Sequence, residues 1–290
     1  MKTEKHDKPK SELEQWLEEE EGTHIIDWQP LTGGDICRTE VITTADKRRF
    51  CVKQQTAVPE DFFAAEAEGL AALRRNGKLR VPHVYAVEKT FIALEYIPPG
   101  SHSADYWSEL GHQLALQHSE PCPRFGFTRN NYCGHTLQPN PRYDNGHEFF
   151  VHQRLLYQGQ LALESGLLHS DELAQLENLC ARLPELIPDQ QPALLHGDLW
   201  SGNIHSDVHN RPVLIDPACY WGWPEADLAM TALFGGFDER FYHSYREVLA
   251  FAPGWEERIP IYNLYHLLNH LNLFGSSYHP QVTRILSRFS

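Results

Sequence analysis

A chain of 290 residues with 41% apolar side chains can hold two lobes or one large domain around a real core. Its formal net charge of −14 argues against a duplex-binding surface, which phosphate backbones require to be cationic, but leaves nucleotide binding open. Six cysteines (Cys37, Cys51, Cys122, Cys133, Cys180 and Cys219) form no CxxC pair and no zinc-ligand spacing. No apolar run is long enough to span a bilayer, and MKTEKHDKPK at the amino terminus lacks the apolar stretch of a signal peptide. A cytoplasmic, reducing setting is expected, with neither nucleic acid nor membrane as partner.

Ser11 is placed to cap a very acidic helix running to Glu21, with Glu14 in the capping-box position and Gly22 as the stop. Strand-like runs follow: Ile25–Trp28, then LTGGDICRTEVITT, a polar turn at 45–48, then RRFCVKQQ, read as an antiparallel hairpin. EDFFAAEAEGLAALRRNG reads as a helix closed by Gly77. Residues 81–87 and 90–96 read as two more strands, and IPPG at 97–100 breaks the pattern as a linker between lobes. Beyond it a helix over 103–117, a Pro-, Gly- and Asn-rich stretch over 121–146, and helices over 148–165 and 170–183 are expected, with helices again dominating the end of the chain. The expected organisation is an extension over 1–22, an antiparallel-sheet lobe with one main helix over 23–97, and a larger, mostly helical lobe over 98–290, an α+β bilobal architecture.

The chemistry concentrates in LLHGDLWSGNIHSDVHNRPVLIDPA. Asp198 and Asn203 are separated by four residues, and Asp216 ends an apolar run. Two short strands, 193–195 and 212–215, joined by a turn would bring Asn203 and Asp216 together, with Asp198 at the mouth of the loop and Asp207 as a simple loop residue. Turn chemistry alone tolerates such residues. Phosphoryl transfer needs this set: one carboxylate to take or orient the acceptor's hydroxyl proton, and a second carboxylate with an amide oxygen to hold magnesium against a triphosphate.

That reading demands a strand lysine and a helix glutamate. Lys53 lies in the alternating strand around Phe50–Gln54. Glu66 falls within the apolar stripe Phe62, Phe63, Leu70, Leu73, where a carboxylate is costly unless paired, whereas Glu68 points elsewhere. Gly33 and Gly34 fit a phosphate-covering bend or, equally, a plain hairpin turn. Glu95, Tyr96 and Ile97 occupy the hinge position where adenine is read by backbone groups. Glu225 and Asp227 at a helix start serve either the helix dipole or, for Asp227, a brace on the catalytic loop through its N–H groups. His266 and His270 stand one helical turn apart, a permissible ligand spacing, with no third ligand nearby in sequence.

With these residues in hand, the chain resembles the fructosamine kinase (ketosamine-3-kinase) family, a branch of the protein-kinase-like fold near the aminoglycoside phosphotransferases. LLHGDLWSGN at 194–203, LIDPACYWG at 214–222, EADLAMTALFGGF at 225–237 and FGFTRNNYCGHTLQPN at 125–140 carry the resemblance, with VK at 52–53 and AEAEGLAAL at 65–73. It implies ATP-dependent, magnesium-assisted phosphorylation of a sugar hydroxyl on a ketosamine, free or protein-bound. The sequence sets no oligomeric state, and a monomer is favoured. Asp198 would accept the proton, Asn203 and Asp216 would hold magnesium, and Lys53 with Glu66 would position the phosphates. Trp200 and the 125–140 loop, including Asn131 and Tyr132, lie where family members shape the acceptor pocket. The chain departs from the pattern in carrying Asp35 just after the glycines, where several members have a cysteine. It also carries HGD rather than the HRD of many protein kinases. A kinase of another hydroxyl acceptor, such as an aminoglycoside, choline or homoserine, and a nucleotide-binding pseudokinase are the competing readings.

Overall fold

The computed structural model describes residues 10–31, 37–75 and 78–290. Gly33, Gly34 and Asp35 lie outside the described residues, as does Gly77, expected to close the second helix. The chain forms two compact units: residues 1–67 with 82–97, and residues 68–81 with 98–290.

In the first unit, helix α1 (Glu12–Glu19) opens on the expected capping box: Ser11 Oγ accepts from the Glu14 N–H at 3.3 Å and the Glu14 carboxylate accepts from the Ser11 N–H at 2.9 Å. The acidic residues face water, while Leu13, Trp16 and Leu17 are buried against Ile42, Phe50, Val52, Phe91 and Ala93. Trp16 meets Phe50 edge-on at 5.6 Å. This helix is therefore part of the unit's core rather than an appendage to it.

The sheet it covers comprises β1 (Ile25–Pro30), β2 (Arg38–Thr44), β3 (Arg49–Gln54), β4 (Val84–Val87) and β5 (Phe91–Glu95). Their spatial order is β1-β2-β3-β5-β4, every neighbour antiparallel. Side chains alternate across a pleated strand. Phe50 and Val52 of β3 therefore point to α1, and Cys51 and Lys53 to the opposite face. Helix α2 (Phe62–Arg75) follows.

The second unit is mainly helical: α3 (Tyr106–His118), α4 (Gly146–Phe150), α5 (Leu156–Glu164), α6 (Ser170–Leu186), α7 (Pro224–Leu233), α8 (Glu239–Val248), α9 (Trp255–Phe274) and α10 (His279–Phe289). The helix expected over 148–165 is interrupted by a π-helical turn at Val151–Leu155. Arg154 lies in that turn, fully buried. The stretch over 121–146 contains a small hairpin, β6 (Asn131–Cys133) with β7 (Thr136–Gln138).

The strand pairing around the HGD motif differs from the sequence expectation. β8 (Ala193–Leu195) and β10 (Pro212–Leu214) do not pair with one another. β8 pairs with β11 (Tyr220–Gly222), and β10 pairs with β9 (Ile204–Ser206). The three residues of β9 mix polar and apolar types over too short a run to register as a strand in sequence. IPPG ends firmly anchored, because the Gly100 N–H donates to Ser206 O at 2.7 Å and the Ser101 N–H to Asn210 Oδ1 at 3.0 Å.

Candidate active site

Lys53 and Glu66 meet inside the first unit. The lysine Nζ lies 2.5 Å from Glu66 Oε1, and their side chains are 10% and 13% exposed. This is the partner that the position of Glu66 on an apolar helix face demanded. A charge removed this far from water is stabilised only while its partner is present. Lys53→Met is therefore expected to lower kcat/KM for ATP roughly 10²-fold and to lower stability as well, since it leaves the Glu66 carboxylate buried without the lysine. ATP-dependence kinetics, alongside Glu66→Gln, check this. A double variant no worse than either single one would show that the two act as a unit. Glu95 closes β5, its N–H donating to His83 O at 2.7 Å, and Arg49 stacks over the Tyr96 ring at 4.1 Å. Ile97 is buried.

In the second unit, the loop after β8 carries His196, Gly197 and Asp198. Asp227, in the first turn of α7, takes two N–H groups from it, His196 at 2.7 Å on Oδ2 and Gly197 at 2.9 Å on Oδ1. His118 Nε2 approaches Asp227 Oδ2 at 3.3 Å, and His118 Nδ1 stands 2.8 Å from the Tyr245 hydroxyl. An ionised carboxylate only accepts, so His118 donates through Nε2 and accepts the tyrosine proton at Nδ1. Burial works to raise the Asp227 carboxyl, but the His118 contacts and the Gly197 N–H outweigh it and hold it below the usual range. Of the two readings open for Asp227, the brace on the loop is the one formed. Glu225 instead binds Arg258 at 2.6 Å.

Gly197 adopts φ +81°, and a Cβ there would stand 2.0 Å from Ala218 O. Any side chain at the middle of the motif would collide with backbone, which gives a steric reason for HGD in place of HRD. His196 ties the loop to the following segment: its Nε2 donates to Ile215 O at 2.9 Å, and its backbone O accepts from Ala218 at 2.9 Å. Burial lowers this imidazole, so it acts as a neutral strut.

Asp198 is half-buried and its carboxylate faces Asn203, whose Nδ2 donates to Asp198 Oδ2 at 3.0 Å and to Asp198 O at 2.8 Å. Burial, with the negative Asp216 and Asp227 nearby, pushes the carboxyl up to about 7 against the pull of the Asn203 hydrogen bond. The two bonds to Asp198 commit the Asn203 Nδ2 and fix the orientation of the amide. The Ile215 N–H donates to Asn203 O at 3.1 Å, so the β9–β10 hairpin sets Asn203 beside the segment bearing Asp216. Asp216 itself is exposed and sits at φ 56°, in left-handed backbone space.

Trp200 is exposed, with its indole laid over Gly202 so closely that a Cβ there would come within 2.2 Å of the ring, and it meets Phe234 at 6.0 Å. Asn131 is a correction to the expected substrate contacts. It is buried, its Nδ2 donates to Cys219 O at 2.8 Å, and its Oδ1 accepts from Gln138 and Asn140 at 2.8 Å each. It shapes the 125–140 loop from within, its amide oxygen already saturated. Tyr132, next to it, is half-buried. Glu68 turns to the same loop, accepting from the Thr128 hydroxyl. Asp207 is a second correction: it is 2% exposed, accepts from the N–H groups of His209 and Arg211, and pairs with Arg211 at 2.9 Å and Arg80 at 3.3 Å. Sequence reasoning missed Arg154. It is buried, donates to Pro139 O at 2.8 Å and Asn140 Oδ1 at 2.7 Å, and lies 4.1 Å over the Tyr220 ring. The only signal for it was a lone cation inside an apolar helix pattern.

A family model described as fructosamine kinase matches residues 9–289. The chain belongs to the fructosamine kinase family. This member is similar to a probable ketoamine kinase of Vibrio parahaemolyticus, 40% identical over 266 residues, covering 89% of this chain and 90% of the relative. A solved structure designated a candidate fructosamine-3-kinase of Thermobifida fusca superposes with a TM-score of 0.87 at 31% identity, over 95% of this chain and 97% of that one. A streptomycin–ATP complex of APH(2″)-IIa, 15% identical with a TM-score of 0.63 over 97% of both chains, shares the fold alone. As a fructosamine kinase family member the chain is a phosphotransferase of protein-kinase-like, α+β fold. No helix among its described residues is long and apolar enough to cross a membrane.

Proposed function

We propose that this fructosamine kinase family member transfers the γ-phosphoryl group of ATP to a sugar hydroxyl of a ketosamine, fructosamine- or ribulosamine-type, with Asp198 as proton acceptor. The observation that carries the reading is the placement of the Asp198 carboxylate: hydrogen-bonded to Asn203 and mounted on a loop that Asp227 holds by two N–H groups. A carboxylate held in this way can accept the proton of a hydroxyl set within hydrogen-bond reach of it.

The donor set fits magnesium, being an amide oxygen at Asn203 and a carboxylate at Asp216, hard ligands of the kind that ion takes together with phosphate oxygens. Bound there, magnesium would neutralise charge on the transferring phosphoryl group. Lys53, fixed by Glu66, would orient the phosphates, and Glu95, Tyr96 and Ile97 hold the position whose backbone reads adenine. Asp198 would orient the acceptor hydroxyl and take its proton as the O–P bond forms. Trp200 offers an exposed ring face for the acceptor sugar, and Tyr132 the polar edge of the 125–140 loop.

The test is ATP turnover, with magnesium, on fructoselysine, ribuloselysine and an aminoglycoside in parallel. Phosphorylation of a ketosamine with kcat/KM at least about tenfold above the aminoglycoside is expected. Transfer to the aminoglycoside alone would overturn the acceptor assignment, and ATP binding with no transfer to any of the three would overturn the reaction.

A further inference from the structure

Asp198 has two neighbours that phosphoryl transfer does not use. One ligand-capable atom each from Cys133, Asp198 and His266 lies within 4.8 Å of the other two. The three come from β6, the loop after β8 and the middle of α9. Cys133 and His266 are each only 3% exposed. Among the described residues His266 Nδ1 is buried with no hydrogen-bond partner, an arrangement that is costly unless something fills it. His270, the neighbour one turn on, is not a co-ligand through Nδ1, which donates to His266 O at 2.6 Å. Both outer residues are fixed on regular elements: Asn269 of α9 donates from Nδ2 to Cys133 O at 3.1 Å, tying β6 to the helix that bears His266.

We propose that Cys133, Asp198 and His266 form a binding site for a thiophilic divalent cation, with zinc the best match. A thiolate, an imidazole and one carboxylate are the ligand types that borderline and soft ions select, whereas magnesium takes oxygen ligands in an octahedron. Ligands at ~2.0–2.3 Å from a tetrahedral ion stand roughly 3.3–3.8 Å apart, inside the 4.8 Å spread found here. Three protein ligands leave the fourth position for water. The imidazole is ready to bind, because burial and the adjacent His270 push it down to about 3 and keep it neutral. The thiol is not. Burial and the neighbouring Asp198 hold it well above its ordinary range, so the incoming ion must displace the sulfur proton to solvent. Zn²⁺ and the thiol give the Zn–thiolate and H⁺, with no change of oxidation state, and affinity therefore rises with pH. The ion takes the carboxylate assigned above to the acceptor's proton, so inhibition by zinc at saturating magnesium follows. This consequence alone rests on the proposed function.

Cobalt is the spectroscopic stand-in for zinc. Titrating the full chain with Co²⁺ is expected to produce a thiolate-to-cobalt charge-transfer band in the near ultraviolet that Cys133→Ser abolishes. His266→Asn, which keeps all six thiols, is expected to weaken cobalt binding at least about tenfold. No band, a band retained in Cys133→Ser, or unchanged cobalt affinity in His266→Asn would each overturn the site, and the last reading does not depend on how the serine variant folds. Zinc should halve turnover in the unmodified protein, reversibly with chelator, and at least about tenfold more should be needed to halve the Cys133→Ser protein's own rate. A cobalt band at Cys133 in a protein that zinc leaves fully active keeps the site and overturns instead the role given to Asp198.

Discussion

Asp198→Asn is expected to lose roughly 10²–10⁴ in turnover while folding more stably than the unmodified chain. The first half follows from removing the carboxylate proposed to take the hydroxyl proton. The second follows from the cost of keeping that group charged. Burial and the negative neighbours Asp216 and Asp227 push the Asp198 carboxyl from 3.8 up to about 7. The unfolded chain releases this proton near pH 4 and the folded chain only near pH 7, so between those values the native state holds the extra proton and stability falls as pH rises. Above about pH 8 the loss is complete, on the order of 4 kcal/mol, and Asn does not incur it. The amide keeps an oxygen for the Asn203 hydrogen bond. Thermal melts at pH 4 and pH 8 in the absence of nucleotide and metal check this. The variant's advantage should be present at pH 8 and close to nil at pH 4. Near-normal turnover would remove Asp198 from the mechanism, and a lower melting temperature at pH 8 would show that its negative charge is compensated.

Asp227→Asn should behave in the opposite way, losing both activity and stability. One of the two oxygens that accept from His196 and Gly197 becomes an NH₂ group facing a donor, and the catalytic loop loses an anchor. Breaking a buried, hydrogen-bonded charge of this kind costs about 3–5 kcal/mol. The Asp227 carboxyl is held low, so its contribution is present above the unfolded value near 4 and disappears as pH falls through the lower folded one. The stability gap between the two proteins should accordingly be full at pH 7 and shrink toward pH 3 in chemical denaturation. A variant that melts normally but has lost turnover would confine Asp227 to orienting the loop, and one normal in both would dismiss the brace.

What could be read from the sequence was what is local. Ser11 and Glu14 announce a cap because a capping box is complete within four residues. Glu66 announces a partner because a carboxylate inside an apolar helical stripe has no other explanation, and Lys53 is the cation it meets. Asp198 and Asn203 are five apart, close enough for spacing to imply one loop. The pairing of β8 with β11 was not legible, since a strand of three residues carries almost no periodicity. Asn131 looks like a surface loop residue until Gln138, Asn140 and the Cys219 carbonyl are placed around it. Arg154 hides for the same reason, its acceptors being backbone and amide oxygens rather than an acid that charge patterning would reveal. Cys133 and His266 are separated by more than a hundred residues, and only the fold brings both to Asp198.

Asp216 carries a consequence for how such a protein changes over generations. It holds a backbone conformation at φ 56° that costs an ordinary residue roughly 1 kcal/mol and glycine nothing. Asp198 likewise keeps a charge that the fold would shed. On the roles proposed for them, glycine at 216 and an amide at 198 are replacements that ease folding while removing the reaction, so thermodynamics favours these particular inactive sequences. On the proposed roles, selection for phosphoryl transfer is what keeps an aspartate at each. A lineage released from that selection would drift first at these two positions, and would arrive at a sturdier protein with an intact Lys53–Glu66 pair and no reaction to perform.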